Sequence, residues 1–335
     1  MKKYIPDYYK EFQCIAGECK DNCCIGWDIM IDEESYKKYQ AVKTPFKVRL
    51  DQGICHGEEP QFRLDAQKRC AFLNDQNLCD IYIELGEDAL CEICTQHPRF
   101  HNEYGHILQS GLGIACEEAA RLILEEADFH LEEVCSKEGD FDEWAEELMQ
   151  IEIRLLNLLN KKELLIDERI NQVYDLTAAY QEQFNLTGEL SRDLIKKEIP
   201  SNHILKKMQQ KEYLKDWFDF YENLDYMGED FYEIVKKSKE SVSDVILQSD
   251  ENVSYIERLI SYFIYRHFIK SYEDDNFLGK IKFAILSCLM IECMNAYCRK
   301  QKLTFDRIDI AKMYSKEIEY SEENMDEIYE ELLFE

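Results

Sequence analysis

Long apolar runs are missing from this chain. The longest, FAILSCLMI at 283–291, falls far short of the ~20 residues that cross a bilayer, so no membrane span is expected. The opening MKKYIPDYYKEF has two lysines and no apolar stretch behind them. That pattern lacks the core of a secretory signal, and a cytoplasmic location is expected. Glycine is scarce, at 12 of 335 residues, and proline scarcer, at 5. No G-x-G-x-x-G, P-loop or G-x-S-x-G stretch occurs, which argues against glycine-cradled nucleotide folds and serine hydrolases. The radical signature Cys-x-x-x-Cys-x-x-Cys also fails, because Gly26 stands where a third cysteine should follow Cys19 and Cys23. Positive charge is in deficit: 40 basic residues face 69 acidic ones, for a net charge of −29. Such a field repels nucleic acid and anionic lipid and draws in cationic surfaces, so neither nucleic acid nor membrane is an expected partner.

Cysteine is plentiful. Of 14 cysteines, ten lie between residues 14 and 116: Cys14, Cys19, Cys23, Cys24, Cys55, Cys70, Cys79, Cys91, Cys94 and Cys116. A chain of this length with 45% apolar residues needs no disulfide staples to build a core. In a reducing compartment, clustered thiols point to metal, with disulfides or buried free thiols as the alternative. Two successive cysteines, Cys23 and Cys24, rarely bind one metal atom side by side, so the pair is expected to divide between two sites or two irons. Cys91-x-x-Cys94 finds no matching pair to complete a common zinc module. Zinc stays open, and an iron–sulfur cluster fits at least as well. Cys116 precedes a helix, where unpaired amides favour a thiolate. Cys288, Cys293 and Cys298 are spaced by five, which at ~100° per residue spreads them around a helix; they are expected to be core. Cys135 is expected to be unremarkable, and His97 and His101 either face a site or sit on a surface turn.

The fold expected is mainly α. An irregular cysteine-rich metal-binding region with a short hairpin, residues 1–134, packs on a helical bundle, residues 135–335. Residues 1–28 suggest a loop, IDEESYKKYQ a short helix, and QFRLD a short strand. CAFLNDQNLCDIY suggests a tight turn with Cys70 and Cys79 at its base, and DIYIELGEDALCEICTQ a helix broken near Gly86. Helical periodicity is strong in FDEWAEELMQIEIRLLNLL, in IDERINQVYDLTAAYQEQFNL, in SYIERLISYFIYRHF and in the segments that follow.

In four ordered blocks the chain resembles the bacterial flagellin lysine N-methylase family, one of a wider group of cysteine-cluster proteins thought to chelate zinc or iron. The blocks are FQCIAGECKDNCCIGW, CAFLNDQNLCDIY, LGEDALCEICTQHPRF and GLGIACEEAARLIL. RLISYFIYRHF is compatible with the family's later half. On that resemblance Cys14, Cys19, Cys23, Cys24, Cys70, Cys79, Cys94 and Cys116 fall on the family's cysteine positions. Cys55 and Cys91 look extra, and Glu117 stands where the family usually has proline. The resemblance implies methyl transfer from S-adenosylmethionine to lysine side chains of flagellin, with a [4Fe-4S] cluster in the protein. The alternative is a non-enzymatic chelator or metal-delivery protein, and a third is a structural zinc domain on a partner-binding bundle. Neither a catalytic base nor a donor-binding residue is visible in the sequence.

Overall fold

The computed structural model describes residues 1–20, 22–125, 129–134, 140–190, 203–244 and 253–334. The chain enters on a strand, β1 (Lys2–Pro6), and passes through a 3-10 turn into the first cysteine group. Helix α1 (Glu33–Ala41) starts where the sequence suggests, because the Asp32 carboxylate accepts the Ser35 amide at 2.8 Å and so satisfies an amide with no partner inside the helix. Helix α2 (Lys47–Gly53) leads into β2 (Ile54–Cys55) and β3 (Gln61–Phe62), which pair antiparallel. The strand expected in QFRLD is therefore present but cut to two residues.

The turn between Cys70 and Cys79 forms as expected. The Asn74 side-chain oxygen accepts the amides of Gln76 and Leu78 at 2.9 and 3.1 Å, a turn that asparagine builds readily. Helix α3 (Asp80–Leu85) stops at Gly86, whose φ of 88° is open to glycine at little cost. Helix α4 (Glu92–Gln96) follows and ends before Pro98.

A four-stranded sheet departs from expectation, its inner strand β1 lying in the supposed N-terminal loop. Strands β4 (Arg99–Tyr104) and β5 (Ile107–Leu112) form a hairpin. After α5 (Glu117–Glu125) comes β6 (Leu131–Val134), and the spatial order is β4-β5-β1-β6. Strand β1 runs parallel to β5, pairing Lys2 with Ile107, and antiparallel to β6. The polar residues of β5 hide it from pattern reading. Gln109 and Ser110 are fully buried, so the usual alternation is broken.

The rest is helical: α6 (Glu143–Leu159), α7 (Ile166–Thr187), α8 (Ile204–Met208), α9 (Lys211–Tyr221), α10 (Glu229–Ser238), α11 (Val253–His267), α12 (Ser271–Asp274), α13 (Phe277–Gln301), α14 (Arg307–Tyr314) and α15 (Glu322–Leu333). The chain is mainly helical, as expected. Asp142, Asn276, Asp306 and Ser321 cap α6, α13, α14 and α15 by accepting an amide of the first turn. Helices α11 and α13 are buried nearly all round, the mark of core helices in a large domain. Cys288, Cys293 and Cys298 lie in α13 as core residues. Cys135 lies outside the described residues. No helix among those described is long and apolar enough to cross a membrane.

Buried apolar side chains form two separate cores. The large one joins the sheet to the helices, from Tyr4 and Ile107 to Leu332. The small one belongs to a lobe between residues 29 and 91 and holds eleven buried residues, among them Tyr39, Phe62, Phe72, Cys70 and Cys91. The chain as a whole is large enough to fold without staples, yet a unit of this size standing alone falls in the range where a metal or a neighbouring surface is usually needed.

Under the sheet, Glu152 is fully buried and held by an amide, Gln109 Nε2 to Oε2 at 2.8 Å. Burial pushes its carboxyl well above the usual range. A carboxyl kept protonated in the fold but ionised in the unfolded chain loses stability as pH rises above its unfolded value. Glu152→Gln is therefore expected to gain on the natural protein as pH increases from about 4.5, at up to ~1.36 kcal/mol per pH unit. Urea unfolding at pH 5 and pH 8 checks this, and a stability gap that does not change with pH would contradict it.

Candidate functional site

The structure sorts the thiols into two sets. Cys24, Cys70, Cys79, Cys91 and Cys94 all belong to, or pack on, the small core. Backbone bonds bring them together: the Cys70 amide donates to the Cys24 carbonyl at 2.8 Å, and Leu73 bridges to Cys79. Cys91 immediately precedes α4, without a capping bond from its side chain, and Cys94 lies in the helix's first turn. Their thiols hydrogen-bond, which lowers the pKa of Cys91 and raises that of Cys94. Burial raises Cys70 to about 11 and raises Cys79 as well.

The second set is Cys14, Cys19, Cys23 and Cys116, each within electrostatic range of others in the set. The Lys20 amide binds Glu117 Oε2 at 2.8 Å and ties this loop to the start of α5. Cys116 sits where the sequence places it, with the Ala119 and Glu118 amides favouring its thiolate, but burial outweighs them and raises it to about 11. The neighbours Cys23 and Cys24 thus divide between the sets while their thiols still hydrogen-bond to each other. Cys91, which looks extra in sequence, sits inside the first set, whereas Cys55 packs against neither core. Every described cysteine is a free thiol. Among the described residues, no three His, Cys, Asp or Glu side chains stand in an arrangement that could hold a metal ion.

Where this lobe meets the helical core lies a buried charge centre. The Arg266 guanidinium on α11 is 3.1 Å from the Glu319 carboxylate through Nε, and its Nη1 donates to the Tyr262 hydroxyl at 2.8 Å. Its Cζ lies 4.8 Å from the centre of the Tyr320 ring and 5.1 Å from that of Phe100. Glu319 also accepts from His267 Nε2 at 2.7 Å and from Tyr262 at 2.9 Å. Burial alone raises a carboxyl, but Arg266 and His267 together hold Glu319 down at about 2. Burial holds His267 well below the usual imidazole range, hence neutral.

Glu319 closes a π-helical turn, Ser315–Glu319, a distortion frequent at functional positions. The same turn carries Lys316, whose ammonium donates to the Ile25 carbonyl at 3.3 Å and lies 5.5 Å from the Trp27 ring. Trp27 in turn meets Tyr320 edge-on at 5.2 Å. Gly113 leaves room for this: a Cβ there would stand 2.4 Å from the Tyr320 hydroxyl and 2.5 Å from Arg266 Nη1.

His97 reaches the same seam. Burial, Arg266 and Lys316 lower it to about 4. His101 instead bonds Ser110 Oγ at 2.7 Å on the sheet. Arg266, Glu319, Tyr262 and Lys316 were not singled out by sequence. The one available signal was the charged Arg266 set in the apolar run of RLISYFIYRHF.

Fold and site together define a helical protein with a thiol-rich lobe clamped over a buried guanidinium–carboxylate centre. The chain belongs to the FliB lysine N-methylase family, whose C-terminal domain model matches residues 111–335. It is 31% identical over 131 residues to the Lysine-N-methylase of Salmonella typhimurium, covering 37% of this chain and 32% of that one, and likewise to that of Salmonella choleraesuis. It is 30% identical over 131 residues to the Flagellar biosynthetic protein FliU of Salmonella muenchen, covering 77% of that protein. The chain thus spans about a third of the length of the two methylases. No solved structure matches it.

Removing one partner of a buried ion pair strands the other charge, at a cost of roughly 3–5 kcal/mol. Arg266→Met is expected to destabilise by that amount, and Arg266→Met combined with Glu319→Gln to recover part of it. A double-mutant cycle by chemical denaturation measures the coupling; additive losses would show that the pair is not coupled.

Proposed function

We infer that the protein transfers methyl groups from S-adenosylmethionine to lysine side chains of flagellin, and that cysteines of the thiol-rich lobe hold a [4Fe-4S] cluster. Family membership through residues 111–335 carries the reading. Relatives named for lysine methylation and for flagellar biosynthesis support it. A net charge of −29 suits a lysine-bearing partner.

Soft sulfur donors in sets of four or more fit iron–sulfur clusters, with zinc as the alternative. The residues for it are Cys14, Cys19, Cys23 and Cys116 on one side and Cys24, Cys70, Cys79 and Cys94 on the other, with Cys91 beside the latter. Metal binding must draw these thiols together and strip the protons that burial makes them keep. When bound, an iron with an open position would supply a seat for the donor's amino and carboxylate groups. The chain itself must supply a desolvated place for the lysine, because only the free amine carries the lone pair that attacks a sulfonium methyl.

Protein purified without air is expected to be coloured, to contain iron and to move labelled methyl groups onto flagellin. Colourless, iron-free protein that transfers nothing would end this reading, and metal without transfer would favour the chelator. Raising salt should weaken flagellin capture. Stripping the metal should expose residues 24–94 to protease while the helical far-UV signal persists, because only the small core depends on the thiols. A single cooperative loss of both would contradict that dependence.

A further inference from the structure

The small lobe turns apolar side chains outward as well as inward. Helix α3, the 3-10 turn Glu87–Ala89 and α4 follow one another along the chain and cover its core. Ile81 and Cys91 are buried there, with Leu85, Ala89 and Leu90 packed against the same core. Tyr82, Ile83 and Ile93 face solvent instead, at 51%, 54% and 50% exposed. Single exposed apolar residues are ordinary, but large ones gathered on one short run mark a surface that meets something. The run is also held in place: the Tyr39 hydroxyl donates to the Ala89 carbonyl at 2.7 Å, and the Asp32 carboxylate accepts the Glu92 amide at 2.8 Å. A partner therefore finds the surface already formed.

Charge on the run says what that partner is. No lysine or arginine occurs between Arg69 and Arg99, and Glu84, Glu87, Asp88 and Glu92 are all exposed. Lys37, Lys38, Lys47 and Arg49 of the same lobe pair with Glu33, Glu34, Asp51 and Asp80 instead. Four carboxylates among three large apolar groups repel a second copy of this chain, nucleic acid and anionic lipid alike. They attract a segment that carries both lysines and apolar residues.

We propose that this face of α3 and α4 docks a cationic amphipathic segment of the protein substrate, whose apolar residues cover Tyr82, Ile83 and Ile93 while its lysines meet the carboxylates. That the partner is the substrate rests on the methyl-transfer reading; that it is cationic and amphipathic does not. Cys79 immediately precedes α3, and Cys91 and Cys94 bracket Glu92 and Ile93, so a docked segment lies beside the thiols assigned to the metal. Docking of this kind holds the substrate equally well before and during the chemical step, and so acts on KM rather than kcat.

The test uses the full chain purified without air, monomeric flagellin, and a short lysine peptide with no apolar residues. Tyr82→Ser combined with Ile83→Ser should weaken flagellin binding, and with it raise KM, about tenfold, the scale on which an interface loses apolar anchors. Turnover of the short peptide should be unchanged. Glu84→Gln, Glu87→Gln and Asp88→Asn together should weaken flagellin binding at low salt and flatten its salt dependence. Iron content and sedimentation are measured on every variant; if the serine variant loses its iron, the charge variant, which alters no packing, decides. Natural protein that fails to bind flagellin, or variants that bind it with natural affinity and salt dependence, overturn the docking face, and methyl transfer to the short peptide then stands or falls by itself. Natural protein that self-associates, and that the serine variant separates into monomers, overturns it too, because the face then joins copies of the chain. Flagellin held through this face but never methylated keeps the surface and ends the methyl-transfer reading.

Discussion

The buried pair of Arg266 and Glu319 is the constraint on which the joining of this molecule depends. Their side chains are 9% and 0% exposed, and taking two such charges from water costs several kcal/mol for each ion. Only a complete set of partners offsets that. Helix α11 supplies Tyr262 and His267, the C-terminal π turn supplies Glu319 itself, and Phe100 of β4 and Tyr320 cover the guanidinium. The Ile114 amide donates to Tyr262 at 3.2 Å. Sheet, core helix and C-terminal segment therefore meet at one point, and none can shift without stranding a charge.

That point is also where the small lobe touches the rest. Trp27 and Ile25 receive Lys316 from the same π turn, and His97 arrives from the end of α4. The lobe's own core is small, so its position depends on this seam.

The family match lies on residues 111–335, whereas the sequence resemblance was carried mostly by blocks before residue 116. Features of the same family therefore lie in nearly complementary parts of the chain. The sulfur atoms attract attention in sequence because cysteine is uncommon and its spacing can be counted. Arg266 and Glu319 do not, because single charged residues in helices are ordinary; only their shared burial marks them. His97 stood out merely as a neighbour of Cys94, and nothing in HPRF signals its place at the seam.

Local physics made the helices legible. The apolar stripes of α6, α7 and α11 and the caps at Asp32, Asp142 and Ser321 act within one or two turns, so the residues that decide them are adjacent in the chain. The turn at Asn74 and the stop at Gly86 are readable for the same reason. The sheet is not, because β1 pairs with β5 about a hundred residues later. Such pairing is decided by burial and chain closure rather than by pattern. The sorting of Cys23 from Cys24, the inclusion of Cys91 and the gathering of His97, Arg266 and Glu319 likewise follow from how distant segments pack. The amino-acid sequence determined which segments coil and where sulfur concentrates; the tertiary structure alone decided which of those groups share a low-dielectric space, since only there do their charges act on one another.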